Sequence, residues 1–278
     1  LNTLPQGLST GRTPIQIGAE VYGYQRVAAD LEVIRLMLTT LTAAGATAIH
    51  LDLGHVTVFR ELAKAAGLSA ELEAQLFDIY QRKSIPELND LLPQLPHSEW
   101  FAALGQLSGQ ITVLAQADIL LADAPTAVHC TLNDLKQVVH ALQLSHPHVA
   151  ISVDLSELRG YHYHTGLVFS AYTPQSASEL AKGGRYDHIG EAFGRARPAT
   201  GFSADLKSLV NFYEDDSGMV KIFAPAHDDG ALAVLVAQLR AEGRIVIQAL
   251  TGDRSTMADF GCQQQLVLDQ HGWQIVQI

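Results

Sequence analysis

Sulfur is scarce in this chain: 278 residues hold two cysteines, Cys130 and Cys262, far apart and in no metal-ligand spacing. That argues against a disulfide framework and for free thiols in a reducing compartment. Basic runs are missing too. With 18 Lys and Arg against 29 Asp and Glu the formal charge is −11, so extended contact with a nucleic-acid backbone is not expected. No apolar run reaches the roughly 18 residues that a membrane span requires, and no secretory leader opens the chain. The expectation is a cytoplasmic protein whose partners include neither nucleic acid nor membrane. Leu1 stands where a Met would start a chain, inside what reads as a motif, so further residues are expected upstream. What is present is ordinary globular composition, 47% hydrophobic and 17% charged, without low-complexity tracts. The length allows one large domain or one and a half.

Residues 15–24 read as a strand with Ile15, Ile17, Ala19 and Val21 on one face and Gln16 and Glu20 on the other. Residues 28–44 set Leu31, Ile34, Leu38 and Leu41 at helical spacing, and Gly45 ends that helix. A short strand follows over 49–53. Residues 59–107 read as helices cut by Pro86, Pro93 and Pro96, part of a helical insertion running from about 59 to 145. Two more helices are expected over 108–121 and 132–144, separated by Pro125, the second capped by Thr131 or Asn133. Strands over 149–155 and 166–172 bracket a segment rich in Tyr and His. After Asp215-Asp216-Ser217-Gly218 the pattern becomes strand, helix, strand over 220–225, 230–242 and 244–250. A short helix near 256–260 and strands around Leu266 and Ile275 complete it. The expected division is an α+β core over 1–215 and a small C-terminal α/β domain over 219–278.

Gln16 and Glu20 share a strand face, and an amide beside a carboxylate can hold an amine or a protonated imidazole by charge-assisted hydrogen bonds. By spacing alone, the same pattern reads first as a solvated face. Arg159 offers a planar fork suited to a carboxylate, although a lone Arg equally fits an inert surface position. His162 and His164 are spaced to share a strand face, yet no third ligand of clear spacing completes a metal site. His146 and His148 flank Pro147 in a loop and read as solvated. Gly183-Gly184 lacks the glycine spacing of both dinucleotide and P-loops. No Ser-His-Asp set, zinc cluster or Cys-His pair stands out, so no catalytic residue, metal or cofactor is assigned.

Three segments resemble one family. Arg159-Gly-Tyr-His-Tyr-His-Thr-Gly-Leu-Val-Phe169 resembles the histidyl-tRNA synthetase signature Arg-Gly-Leu-Asp-Tyr-Tyr-Thr-Gly-x-Val-Phe-Glu. The run from Gln16 through Glu20 to Gly23 resembles its motif 2 strand, Gln-x-x-x-Glu-x-x-Gly, with Arg12 in the motif 2 loop. Gly201 to Leu209 is similar to its last motif, Gly-Phe-x-x-Gly-Leu-Glu-Arg-Leu. The resemblance implies a class II synthetase-like core, an antiparallel sheet flanked by helices. It also implies a histidine pocket made by Gln16, Glu20, Arg159, Tyr161, Tyr163, His164 and Arg12, with Gly183-Gly184 as a tight turn lining it. The C-terminal domain resembles a shortened anticodon-binding domain.

The departures concern chemistry. Tyr161, His162 and His164 replace Leu, Asp and the second Tyr, and Ser170 replaces Glu. Lys207 and Ser208 stand where the family has Glu and the Arg that clamps ATP, and a neutral hydroxyl cannot replace a charged fork at a triphosphate. On this pattern the chain is identified as a member of the catalytically inactive synthetase paralogues that serve as regulatory subunits of ATP phosphoribosyltransferase, the HisZ family. Membership implies no reaction of its own and a short catalytic subunit as partner in a hetero-oligomer, expected to be a hetero-octamer. It further implies self-association as a dimer, activation of the transferase and feedback by histidine. A synthetase catalytic fragment and a histidine-binding module without a transferase partner stay open at this point.

Overall fold

The computed structural model describes residues 15–176, 178–188, 191, 194–212, 220–251 and 256–278. The chain divides into two compact units, Leu1–Tyr213 and Glu214–Ile278.

In the larger unit, alternation of side chains makes the first strand. β1 (Gln16–Tyr22) turns Ile17, Ala19 and Val21 onto the core and leaves Gln16, Gly18, Glu20 and Tyr22 on the open face. α1 (Val27–Ala43) buries Val33, Ile34, Met37, Leu38 and Leu41, one stripe at three-to-four spacing. Gly45 then turns with φ +92, and an added Cβ would meet the Phe212 carbonyl oxygen at 2.4 Å, so a larger residue fits there neither by conformation nor by space.

Six further strands build the sheet: β2 (His50–His55), β3 (Ser108–Gln110), β4 (Ala150–Asp154), β5 (Leu167–Tyr172), β6 (Ala181–Arg185) and β7 (Ala199–Asp205). Their order among the described residues is β1-β7-β6-β5-β2-β4-β3. Every adjacent pair is antiparallel except β2 and β4, which run parallel. The sheet is therefore mixed rather than wholly antiparallel, because the long helical connection between β2 and β4 supplies the crossover that a parallel pair requires. That connection holds α2 (Val56–Ala65), α3 (Ala70–Arg82), α4 (Ile85–Leu91), α5 (Ser98–Leu104), α6 (Val113–Leu120) and α7 (Thr126–Ser145). Pro86 lies in the first turn of α4 and Pro93 in a 3-10 turn at Leu92–Gln94, so these prolines mark boundaries as expected.

Two expectations for this stretch fail. Ser108–Gln110 is an edge strand beside β4, not the start of a helix. α7 begins directly after Pro125, so Thr131 is an interior residue whose hydroxyl donates to the Ala127 carbonyl at 2.9 Å, and neither it nor Asn133 caps the helix. The helices share one continuous apolar core with the sheet, through residues such as Phe59, Leu76, Phe101 and Leu132. After β7, the short α8 (Leu206–Val210) is capped by Asp205.

The smaller unit orders β8 (Lys221–Ala224), α9 (Gly230–Ala241), β9 (Ile245–Gln248), β10 (Gln264–Asp269) and β11 (Gly272–Gln277) into a sheet β11-β10-β8-β9. β8 pairs in parallel with β9 and β10, while β10 and β11 form a hairpin. Its core is small: Ile222, Ala224, Leu232, Val236, Leu239, Val246 and Leu266. Residues 257–260 form turns rather than the expected short helix.

Candidate functional site

Glycine shapes the pocket on the open face of the large sheet. β6 and β7 place Gly184 opposite Gly201, and β1 places Glu20 opposite the same Gly201. A Cβ on Gly201 would meet Glu20 Cγ at 2.6 Å and Tyr186 Oη at 2.8 Å, and one on Gly183 would meet the Gly201 oxygen at 2.2 Å. Gly183-Gly184 is thus a strand in close approach to its neighbours and not a tight turn. The space left open is a cavity of about 490 Å³, a size that suits small-molecule ligands.

One end of the cavity is lined by Glu20, Tyr163, His164 and Tyr186. The Tyr163 and Tyr186 rings stack with centroids 5.0 Å apart, and the Tyr22 hydroxyl donates to Glu20. Tyr186 is 4% exposed, and its hydroxyl has no hydrogen-bond partner among the described residues. A buried polar group left unsatisfied is costly, and a ligand atom would satisfy it. Burial, with the Glu20 carboxylate nearby, pushes the ionisation of that phenol well up, so it acts as a neutral hydroxyl.

His164 is held by a turn: the amides of Tyr163 and His164 both donate to the Gly160 carbonyl, at 2.8 and 2.7 Å. Gly160 has φ +68 and an added Cβ there would meet the His164 ring at 2.5 Å. Arg60 Nη2 donates to the carbonyls of Tyr161 and His164, each at 3.1 Å, which pins the turn from behind. His164 Nδ1 lies 3.3 Å from the Arg185 carbonyl, which can only accept, so Nδ1 carries the proton. Burial lowers the pKa of this imidazole, and the neutral ring then presents Nε2 as an acceptor.

Behind this end lies a buried ion pair. Arg185 Nη2 donates to Asp30 Oδ1 at 2.9 Å and to the Arg26 carbonyl at 3.1 Å, and the Thr200 hydroxyl donates to the same Asp30 oxygen at 2.6 Å. One network therefore ties β6 and β7 to α1. Burial raises the Asp30 carboxyl, and the Arg185 charge opposes that rise.

The other end is lined by Arg159, Lys182, Ser170, Glu157, Asp52 and Asp154. Arg159 Nε lies 3.0 Å from Glu157 Oε2 as an ion pair, while Nη1 donates to the Tyr172 hydroxyl at 2.9 Å and to Glu179 Oε2 at 3.2 Å. Glu179 also accepts from Lys182 and, at 3.5 Å, from the Ser170 hydroxyl. Lys83 Nζ lies 2.6 Å from Asp154 Oδ2. His50, Asp52 and Ser152 meet as well, but Asp52 Oδ1 and Ser152 Oγ both approach His50 Nε2, at 2.9 and 2.8 Å. A proton relay needs its carboxylate and hydroxyl on different ring nitrogens, so this is not a nucleophilic triad.

Of the residues expected from sequence, Glu20, Arg159, Tyr163 and His164 come together here. Gln16 does not: it lies at the far end of β1 opposite Asp205, about 13 Å along the strand from Glu20 at ~3.3 Å per residue. Tyr161 does not either, since its ring packs edge-on against Phe59 and its hydroxyl donates to Glu73 at 2.6 Å. Arg12 lies outside the described residues. His162 and His164 occupy a turn rather than a strand face. Ser208 sits on α8, its hydroxyl 3.5 Å from Asp205 Oδ2. Sequence reasoning missed Tyr186, Lys182 and Glu157 as lining residues, and Glu179 as the partner of Arg159. For Tyr186 the signal was present, two residues beyond the glycine pair.

The histidyl-tRNA synthetase family pattern matches residues 1–209, and the ATP phosphoribosyltransferase subunit HisZ C-terminal domain matches residues 219–276. A protein of Thioalkalivibrio sulfidiphilus named ATP phosphoribosyltransferase regulatory subunit is 48% identical over 285 residues, across 100% of this chain and 72% of its own length. A protein of the same name from Pseudomonas paraeruginosa is 47% identical over 280 residues, across 99% of this chain and 71% of its own length. Among solved structures, the ATP phosphoribosyltransferase regulatory subunit/histidyl-tRNA synthetase of Bacillus halodurans matches with a TM-score of 0.71 at 24% identity, over 87% of this chain and 65% of that one. The ATP phosphoribosyl transferase (HisG:HisZ) complex of Thermotoga maritima matches with a TM-score of 0.57 at 20% identity, over 69% of this chain and 66% of that one. The chain thus spans about two thirds of these solved chains, and the structural likenesses establish a class II synthetase-like fold. With both segments matched and close relatives along its whole length, the chain belongs to the family of ATP phosphoribosyltransferase regulatory subunits.

Proposed function

We propose that this pocket binds histidine and that the chain relays the binding to a short catalytic subunit of ATP phosphoribosyltransferase, which it activates in its own right. The observation that carries the reading is the polarity of the cavity. At one end Glu20, the neutral acceptor Nε2 of His164 and the unpartnered Tyr186 hydroxyl suit an amine and an imidazole. At the other, Arg159 and Lys182 suit a carboxylate. A free histidine carries all three groups on one small frame.

The same reading makes the subunit a sensor and not a catalyst. Ser170, Lys207 and Ser208 stand where the resembling synthetases carry Glu, Glu and the ATP-clamping Arg, so the chain has lost groups that would hold ATP and its metal. Binding without chemistry becomes a signal when two states of a complex bind histidine unequally, a coupling of about 1–3 kcal/mol. The partner is supported by the structural match to a HisG:HisZ complex. Assembly as a dimer within a hetero-octamer, and residence in the cytoplasm, belong to this proposal.

Reconstitution tests it. Mixing the chain with a short catalytic subunit should give a co-eluting complex at micromolar concentration, faster phosphoribosyl-ATP formation, and inhibition by histidine. Failure to co-elute together with an unchanged rate overturns the assignment. Histidine-dependent ATP–pyrophosphate exchange by the chain alone would restore the synthetase reading instead.

A further inference from the structure

We infer that Glu179 is a built-in carboxylate competing with the ligand's own carboxylate for Arg159, and that it sets how tightly and how selectively the pocket takes an amino acid. The inference rests on the histidine reading given above. A guanidinium offers a carboxylate two bidentate edges, one made by Nε and Nη2 and the other by Nη1 and Nη2. Here each edge has one donor engaged. Glu157 Oε2 stands 3.0 Å from Nε as an ion pair, and Nη1 donates to Glu179 Oε2 and the Tyr172 hydroxyl, at 3.2 and 2.9 Å. A ligand carboxylate arriving at this arrangement finds only Nη2 without a partner among the described residues, which permits a one-point contact and no fork.

One of the two glutamates must yield for a full clamp, and their anchorage differs. Glu157 is chelated within its own loop, because its second oxygen accepts the Arg159 amide at 2.7 Å. Glu179 has no such backbone hold among the described residues. Its remaining partners among them are the Lys182 ammonium and the Ser170 hydroxyl, and both of those side chains line the cavity. An incoming carboxylate can therefore take over each of Glu179's contacts, one negative charge replacing another. A ligand without a carboxylate gains nothing from that exchange and leaves Glu179 in place.

The test compares two ligands on the full chain by calorimetric titration: L-histidine, and L-histidinol, in which CH₂OH replaces the carboxylate. With Glu179→Gln, which keeps size and removes charge, histidine affinity should rise about two- to fivefold, the range expected for a partly exposed charge pair. Histidinol affinity should stay level or fall, since the pocket has lost a negative charge. Glu179→Ala guards against a new amide contact and should move both ligands in the same directions. Equal histidine affinity in the native chain and both variants, or parallel changes for the two ligands, would overturn the competition while leaving the pocket assignment standing. Absence of histidine binding to every form would overturn the pocket assignment and the competition with it.

Discussion

At the Glu20 end, the cavity is walled by three strands in register, opened by Gly183, Gly184 and Gly201, and tied from behind to α1 by Arg185, Asp30 and Thr200. At the Arg159 end, the charged side chains of Arg159, Glu157, Glu179 and Lys182 are each partly exposed and already pair with one another. The first end is braced by a buried network and holds a buried hydroxyl without a partner among the described residues. The second is provided with partners and must exchange them. Stability should therefore be concentrated at the one and ligand discrimination at the other.

The largest effect that can break this contrast comes from Asp30→Ala. It removes the buried carboxylate of the Arg185 guanidinium, itself 7% exposed, and leaves it only the longer contact to Asp187 at 3.4 Å; breaking a buried pair costs about 3–5 kcal/mol, and the loss should fall at the lower end of that range. Denaturant unfolding should record the loss, and a change below ~1 kcal/mol would mean the network does not brace the strands. Gly201→Ala comes next. Its methyl would meet Glu20 and Tyr186 side chains and lie 3.1 Å from the Ala19 carbonyl, so overpacking should cost about 1–3 kcal/mol and abolish histidine binding. Full binding by a folded Gly201→Ala variant would place the ligand elsewhere.

His55 sharpens the braced side by pH. Burial, together with the Arg185 and Arg60 charges, pushes its pKa down from 6.5 to about 3, and its Nδ1 has no partner among the described residues. The folded state then takes up a proton less readily than the unfolded one. The stability contribution is complete above the unfolded value of 6.5 and is lost as pH falls toward about 3, with a slope near ~1.4 kcal/mol per pH unit. Native chain and His55→Gln should differ in stability-versus-pH slope in that window, and identical slopes would contradict the assignment. The smallest effect is Tyr186→Phe. Because the hydroxyl has no hydrogen-bond partner among the described residues, stability should hold, while histidine binding weakens by about 0.5–1.5 kcal/mol.

How much of this was legible beforehand depended on whether the signal was local. Periodicity alone located β1 and α1, since Ile17, Ala19 and Val21 alternate and Ile34, Leu38 and Leu41 recur at helical spacing. Ser108–Gln110 was missed because three polar or small residues carry no alternation, and only pairing with β4 makes them a strand. Gly183-Gly184 was carried over as a tight turn with the family resemblance, whereas here the absent side chains admit the Gly201 carbonyl and the Phe169 and His164 rings. The parallel β2–β4 pair has no local signature at all. In the site, Arg159 was visible through its motif, but its partners were not: Glu179 is twenty residues on, and only the sheet brings it back. Tyr161 was carried over with its neighbours, yet the sequence could not say that its ring turns toward Phe59 and Glu73.

The histidine inhibition constant of the complex reconstituted from the short catalytic subunit and this chain carrying Arg159→Ala tests the central claim most directly. Loss of the carboxylate anchor should raise that constant about 10- to 100-fold, while activation of the transferase by the variant persists. An unchanged inhibition constant would contradict the account, because histidine would then act at a site that does not include this pocket.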